Sequence, residues 1–197
     1  MKLQDNIQIK GEVSFTITNK DGKVRTHTQP NLITNEGMDY FVSKLLGKNE
    51  KLYAQIGQPS WSTLATTNDK TNYHIQEIVV GTDTTAAAKT QTWDTLKGVG
   101  KKLKKSITNL EMDNTTDGLG SWFYQCTFDS QDADTLITNG NEESIKEVML
   151  LAKYGDYDSP QESAVDSRII ISRTVLQQPF IKYTTDKVAI SWKLKLG

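Results

Sequence analysis

Lys187-Val188-Ala189-Ile190-Ser191-Trp192-Lys193-Leu194-Lys195-Leu196 puts five large apolar residues on even positions and small or charged ones on odd positions. Side chains of an extended chain alternate between faces, so this period of two predicts a strand whose even face is core. Residues 7–18 repeat the pattern on odd positions, with Ile7, Ile9, Val13, Phe15 and Ile17, and Gly11 interrupts that face in the manner of a bulge. Asp21-Gly22 supplies the left-handed conformations of a tight hairpin, so residues 24–28 read as a return strand.

Working inward from these ends, Glu77 to Gly81 carries the buried run Ile78-Val79-Val80, and four further strands are predicted at residues 101–110, 121–129, 144–152 and 168–176. After Gly81 the chain enters Thr82-Asp83-Thr84-Thr85 and stays irregular to Trp93, so Gly81 is read as the residue that lets the chain leave the sheet. One helix stands out near residues 35–46. Thr34 or Asn35 can cap it, Met38, Phe41, Val42 and Leu45 form an apolar stripe, and Gly47 follows at its end. Residues 48–73, rich in Asn, Thr, Ser and Lys around Trp61, read as a long surface excursion. Short strands joined by polar turns describe a mainly β protein, an antiparallel, jelly-roll-like β-sandwich with one helix, formed as a single domain over residues 1–197.

Composition narrows the function. Twenty-three Lys and Arg stand against 24 Asp and Glu, a formal charge of -1, so no overall field draws in nucleic acid or an anionic membrane. The N-terminus lacks the apolar run of a signal peptide, and no stretch reaches the ~18 apolar residues of a membrane span, which predicts synthesis in the cytoplasm. The single cysteine, Cys126, lies in an apolar strand and reads as a small core residue.

Candidate chemistry is sparse. His27 and His74 belong to no metal-ligand spacing, and Gly98-Val99-Gly100-Lys101-Lys102 lacks the spacing of a phosphate-binding loop. Lys97, Lys101, Lys102, Lys104 and Lys105 read as edge-protecting lysines on a strand. Asp129, Asp132, Asp134 and Glu142 offer oxygen ligands without the register of a calcium loop. The expectation is a protein without catalytic residues, cofactor or metal. Trp122 and Trp192 lie in strands and read as core, whereas Trp61 and Trp93 lie in loops and, with Thr82, Asp83 and Thr84, are the candidates for contact with a neighbouring chain.

Several stretches taken in order carry a further signal: the N-terminal hairpin, Asn31-Leu32-Ile33-Thr34-Asn35-Glu36-Gly37-Met38, Ile78-Val79-Val80-Gly81-Thr82-Asp83 and Trp93-Asp94-Thr95-Leu96. They are followed by Phe123 to Phe128, Ile145-Lys146-Glu147-Val148-Met149-Leu150-Leu151, Ser172-Arg173-Thr174-Val175 and Val188-Ala189-Ile190-Ser191-Trp192-Lys193. This succession resembles a class of tailed-bacteriophage virion structural proteins associated with the tail, baseplate or fibres. The resemblance implies a β-sandwich that acts, without an active site, by packing against copies of itself and other virion proteins, and it implies residence in the virion. A capsid-surface decoration or head-fibre protein is the alternative of the same kind. A carbohydrate-binding module recognising a host glycan through Trp61 or Trp93 is the alternative of a different kind.

Overall fold

The computed structural model describes residues 9–46, 73–113, 120–133, 136–137, 140, 142–154 and 168–196. The predicted excursion, with Trp61, and the glycine expected after the helix therefore lie outside the described residues, apart from Tyr73, which opens a strand.

Ten strands are present among the described residues: β1 (Ile9–Thr18), β2 (Val24–Pro30), β3 (Leu32–Ile33), β4 (Tyr73–Gly81), β5 (Lys102–Ser106), β6 (Asn109–Asp113), β7 (Ser121–Phe128), β8 (Glu142–Tyr154), β9 (Arg168–Tyr183) and β10 (Lys187–Leu196). They form two five-stranded antiparallel sheets, one ordered β2-β1-β10-β7-β6 and the other β3-β9-β8-β4-β5. The inner faces of both contribute to one core, in which Val13, Phe15, Phe128, Ile145, Ile190 and Trp192 are fully or almost fully buried. This is the predicted β-sandwich. The pairs β1·β10, β3·β9, β4·β8 and β7·β10 join strands distant in sequence, while β1-β2, β4-β5, β6-β7 and β8-β9 pair with their neighbours in sequence.

The β1–β2 hairpin closes as its turn residues require. Gly22 has a φ of 75°, and the Asn19 side-chain oxygen accepts from the amides of Asp21 and Lys23 at 3.1 and 2.8 Å. The bulge expected at Gly11 is absent, because β1 pairs with β10 without a break from Ile9↔Leu196 to Thr18↔Lys187. Gly11 is instead where Asn31 crosses the strand, and a Cβ there would collide with the Asn31 amide. With that amide turned to suit its neighbours, Asn31 donates to Ser172 Oγ and Gly11 O and accepts from the indole Nε1 of the buried Trp192.

The strand predicted over residues 101–110 proves to be two. The Ile107 amide still bonds Gln76 O in one sheet at 2.8 Å, and the Thr108 amide bonds Gln125 O in the other at 2.8 Å, so the chain changes sheet between them. Its alternation cannot show this, since each half is extended.

Helix α1 (Asn35–Leu46) begins where expected, with Thr34 as its cap: Thr34 Oγ1 accepts from the Gly37 amide at 3.0 Å. Met38 and Phe41 pack against the core, joined by the buried Tyr40, which lies outside the predicted stripe. The side chains of Val42 and Leu45 lie outside the described residues. The start of α1 also finishes a sheet edge. β3 pairs only with Ser172 and Arg173 of β9, and beyond it Thr34 and Glu36 take up the main-chain groups of Ile170 and Ile171.

Candidate functional site

The strand-to-loop junction at Gly81 leads into the most elaborate polar arrangement among the described residues. Residues 82–101 form a strap across the outer face of the β3-β9-β8-β4-β5 sheet, and its ends are tied together: the Thr82 amide donates to Lys101 O at 3.1 Å and the Lys101 amide to Thr82 Oγ1 at 3.0 Å. In its middle a short helix, α2 (Trp93–Leu96), is closed at its start by reciprocal bonds between Thr92 and Thr95. Trp93 and Leu96 of this helix bury themselves against Val79, Met149, Leu151 and Ile170.

Beside that apolar contact sits a charged one. Arg173, wholly buried, donates from Nε to Glu147 Oε2 at 3.0 Å, from one terminal nitrogen to Thr85 O and Gln91 Oε1 at 2.8 and 2.9 Å, and from the other to Asp83 Oδ2 at 3.0 Å. The second terminal nitrogen also lies 2.9 Å from Glu147 Oε2, so all five N–H groups of the guanidinium have an acceptor within reach. The other oxygen of Glu147 accepts from Lys102 Nζ. Two carboxylates and two cations thus balance in a site closed to water, the condition under which buried charges are tolerated.

A bulge creates this placement. In β9, Ser172 pairs with Leu150 and Ile170 with Leu151, leaving Ile171 without a partner. Ile169 and Ile171 belong to the inner core, and strict alternation would send Arg173 there too. The extra residue turns Arg173 to the outer face, where Met149 is its cross-strand partner and Glu147 its ion pair. Gly81 pairs across from Glu147, and a Cβ on it would run into the Glu147 carboxylate and come within 3.0 Å of the Lys101 carbonyl oxygen. Its φ is not positive, so the role predicted for Gly81 is corrected: it makes room for Glu147 and does not serve as a conformational exit. Gly81→Ala is expected to cost about 1–3 kcal/mol by overpacking, read as a lower urea midpoint at unchanged slope.

Asp83 titrates below the ordinary carboxylate range. Burial pushes its pKa up, but the amide and hydroxyl of Thr85, at 2.9 and 2.8 Å, together with Arg173 and Lys102, outweigh that and lower it. A carboxyl lowered on folding contributes stability that is complete above its unfolded value of about 3.9 and is lost as pH falls toward its folded value. Asp132, despite its burial, is lowered by Lys105 and the Asp129 amide, and Glu143 is lowered chiefly by its bond to Lys101, so the three act in the same direction. The urea midpoint is expected to hold near neutrality and fall below about pH 4, and Asp83→Asn to start lower at pH 7 and lose less on acidification.

The interface candidates separate. Trp93, expected in an exposed loop, is 3% exposed and belongs to the protein's own packing. Asp83 is buried on Arg173, Thr82 ties the strap's ends, and Thr84 lies on the surface. Arg173 and Glu147, the centre of the site, entered the sequence reading only as members of two short strands. Two charges inside runs of Ile, Val and Leu were the available signal.

The remaining chemistry-bearing residues are held elsewhere. Burial pushes the Cys126 thiol up to about 12, leaving almost no thiolate near neutrality. Of the acidic residues considered for calcium, Asp134 lies outside the described residues, Asp132 pairs with Lys105, and the buried Lys182 ammonium donates to the carbonyls of Asp129, Tyr183 and Asp186. No group of three His, Cys, Asp or Glu able to hold a metal ion occurs among the described residues, and no described helix is long and apolar enough to cross a membrane. No protein-family model, curated protein or solved structure matches the chain.

Proposed function

We propose that this chain is a non-enzymatic structural protein of a tailed-bacteriophage virion, part of the tail, baseplate or fibre-attachment apparatus, acting through self-assembly and docking to other virion proteins. The observation that carries the reading is the use made of one buried charge cluster: Arg173, Glu147, Asp83 and Lys102 bind one another and pin the strap to the sheet. Their groups are engaged in fixing a shape, which suits a rigid building block with polar loops. The order of the sequence motifs supports the same class.

Light scattering and negative-stain microscopy of the purified chain test the reading. Rings, trimers or other closed oligomers are the expected result. A strictly monomeric protein that binds a defined glycan would overturn it in favour of carbohydrate recognition, and labelling on the head of the particle instead of the tail would reassign the station to the capsid surface.

A further inference from the structure

We propose that the outer edge of β2 is a docking site for an extended segment of another protein, added as a further strand, with alternating apolar side chains and one carboxylate entering the adjacent groove. β2 lies at the end of its sheet. The Asn19 amide donates to Lys23 O at 3.0 Å, which sets the antiparallel alternation of the hairpin. Arg25, His27 and Gln29 accordingly exchange main-chain bonds with β1, while Val24, Thr26 and Thr28 turn their N–H and C=O groups outward. Pro30 falls on an outward position and, lacking an N–H, ends the usable ladder there.

Both edges of the β3-β9-β8-β4-β5 sheet are protected: β5 carries Lys104 and Lys105, and the edge of β9 is continued by β3 and the start of α1. The β2 sequence Val-Arg-Thr-His-Thr-Gln-Pro has one full charge, and Val24 is 58% exposed. Between β2 and residues 178–183 of β9 runs a groove of about 410 Å³ with Ile17, Pro179, Phe180 and Ile181 as its apolar surfaces and Arg25 and His27 along its wall. No carboxylate among the described residues lies within ion-pair distance of Arg25. An open ladder supplies backbone affinity, and a groove beneath it takes every second side chain, which is the physical basis of strand addition. The unpaired guanidinium selects an acidic residue at one inward position. The site is independent of where the chain resides in a particle.

The test is selection of random octapeptides, displayed singly, on the purified full chain, followed by fluorescence-anisotropy titration of the enriched sequences. Enrichment of alternating apolar residues with one Asp or Glu is expected. Thr26→Pro removes an outward N–H that β1 does not use and should weaken the selected peptides by at least about tenfold with the thermal melt retained. Arg25→Glu, on an exposed side chain, should shift the preference to Lys or Arg and serves if the proline variant does not fold. Absence of enrichment, or peptides that bind both variants as they bind the parent, would overturn the proposal. Dimers of the chain that Thr26→Pro dissociates would overturn it too, by assigning the edge to a second copy.

Discussion

Replacing Arg173 by methionine is expected to lower the unfolding free energy by about 3–5 kcal/mol, because it strips the cation from a buried cluster and leaves its acceptors in place. Asp83 and Glu147 then face only Lys102, and Thr85 O and Gln91 Oε1 lose their donor. For a chain of this size the midpoint of thermal unfolding falls by roughly 6–20 °C. Limited trypsin digestion distinguishes the strap from the sandwich: cleavage after Lys89 and Lys97 should appear in the variant before the sheets open, since the guanidinium is what joins Asp83, Thr85 and Gln91 to β9. Arg173→Lys keeps the charge but loses the planar fork and should fall between the two. Replacing Arg173 and Glu147 together by methionine leaves Lys102 and Asp83 as a neutral remainder, so the double variant should recover part of the loss. A midpoint shift below about 2 °C for the single variant would show that water reaches and solvates the cluster.

Trp93→Ala is expected to cost about 3–5 kcal/mol by emptying the contact between the strap and the sheet. The ring is 3% exposed, packs with Leu96, Met149, Leu151 and Ile170, and has the Lys104 ammonium 5.5 Å from its centre. Calorimetry and sedimentation velocity on the same preparation separate two accounts of this residue. Packing within the chain predicts a lower melting midpoint with the sedimentation coefficient of the folded species unchanged. A tryptophan anchoring a neighbouring chain would leave the melt of the isolated protein alone and reduce its association.

The fate of Trp93 shows where sequence and structure part. Alternation at residues 187–196 and in β1 was readable because one face of each strand is core and the other solvent, so composition records the face directly. The same logic located α1 and the Asp21-Gly22 hairpin. It failed wherever an element is covered on both sides. Val79, Met149, Leu151 and Ile170 point away from the sandwich core yet are as apolar as its members, since the strap buries them, and a run of Ile, Val and Leu does not reveal which neighbour covers which face. The bulge at Ile171 has no signature within Ile169-Ile170-Ile171-Ser172-Arg173, and without it Arg173 cannot be assigned to the side where Glu147 waits. Gly81 was recognised as a special position for the wrong physical reason: its need is space, set by a residue 66 positions later in the chain (147 minus 81).

The bulge at Ile171 also has a consequence in time. Arg173 reaches Asp83, Thr85 and Gln91 across separations of 90, 88 and 82 residues, and it can do so only after β8 and β9 have paired in the bulged register. Contacts that close such long loops on top of an already correct pairing are expected to form late in folding. On that expectation the strap is the last part of the molecule to settle and the first to leave. Weakening its latch should speed unfolding in stopped-flow experiments while the refolding rate stays nearly constant, which makes Arg173 a determinant of how long the folded state lasts more than of how quickly it is reached.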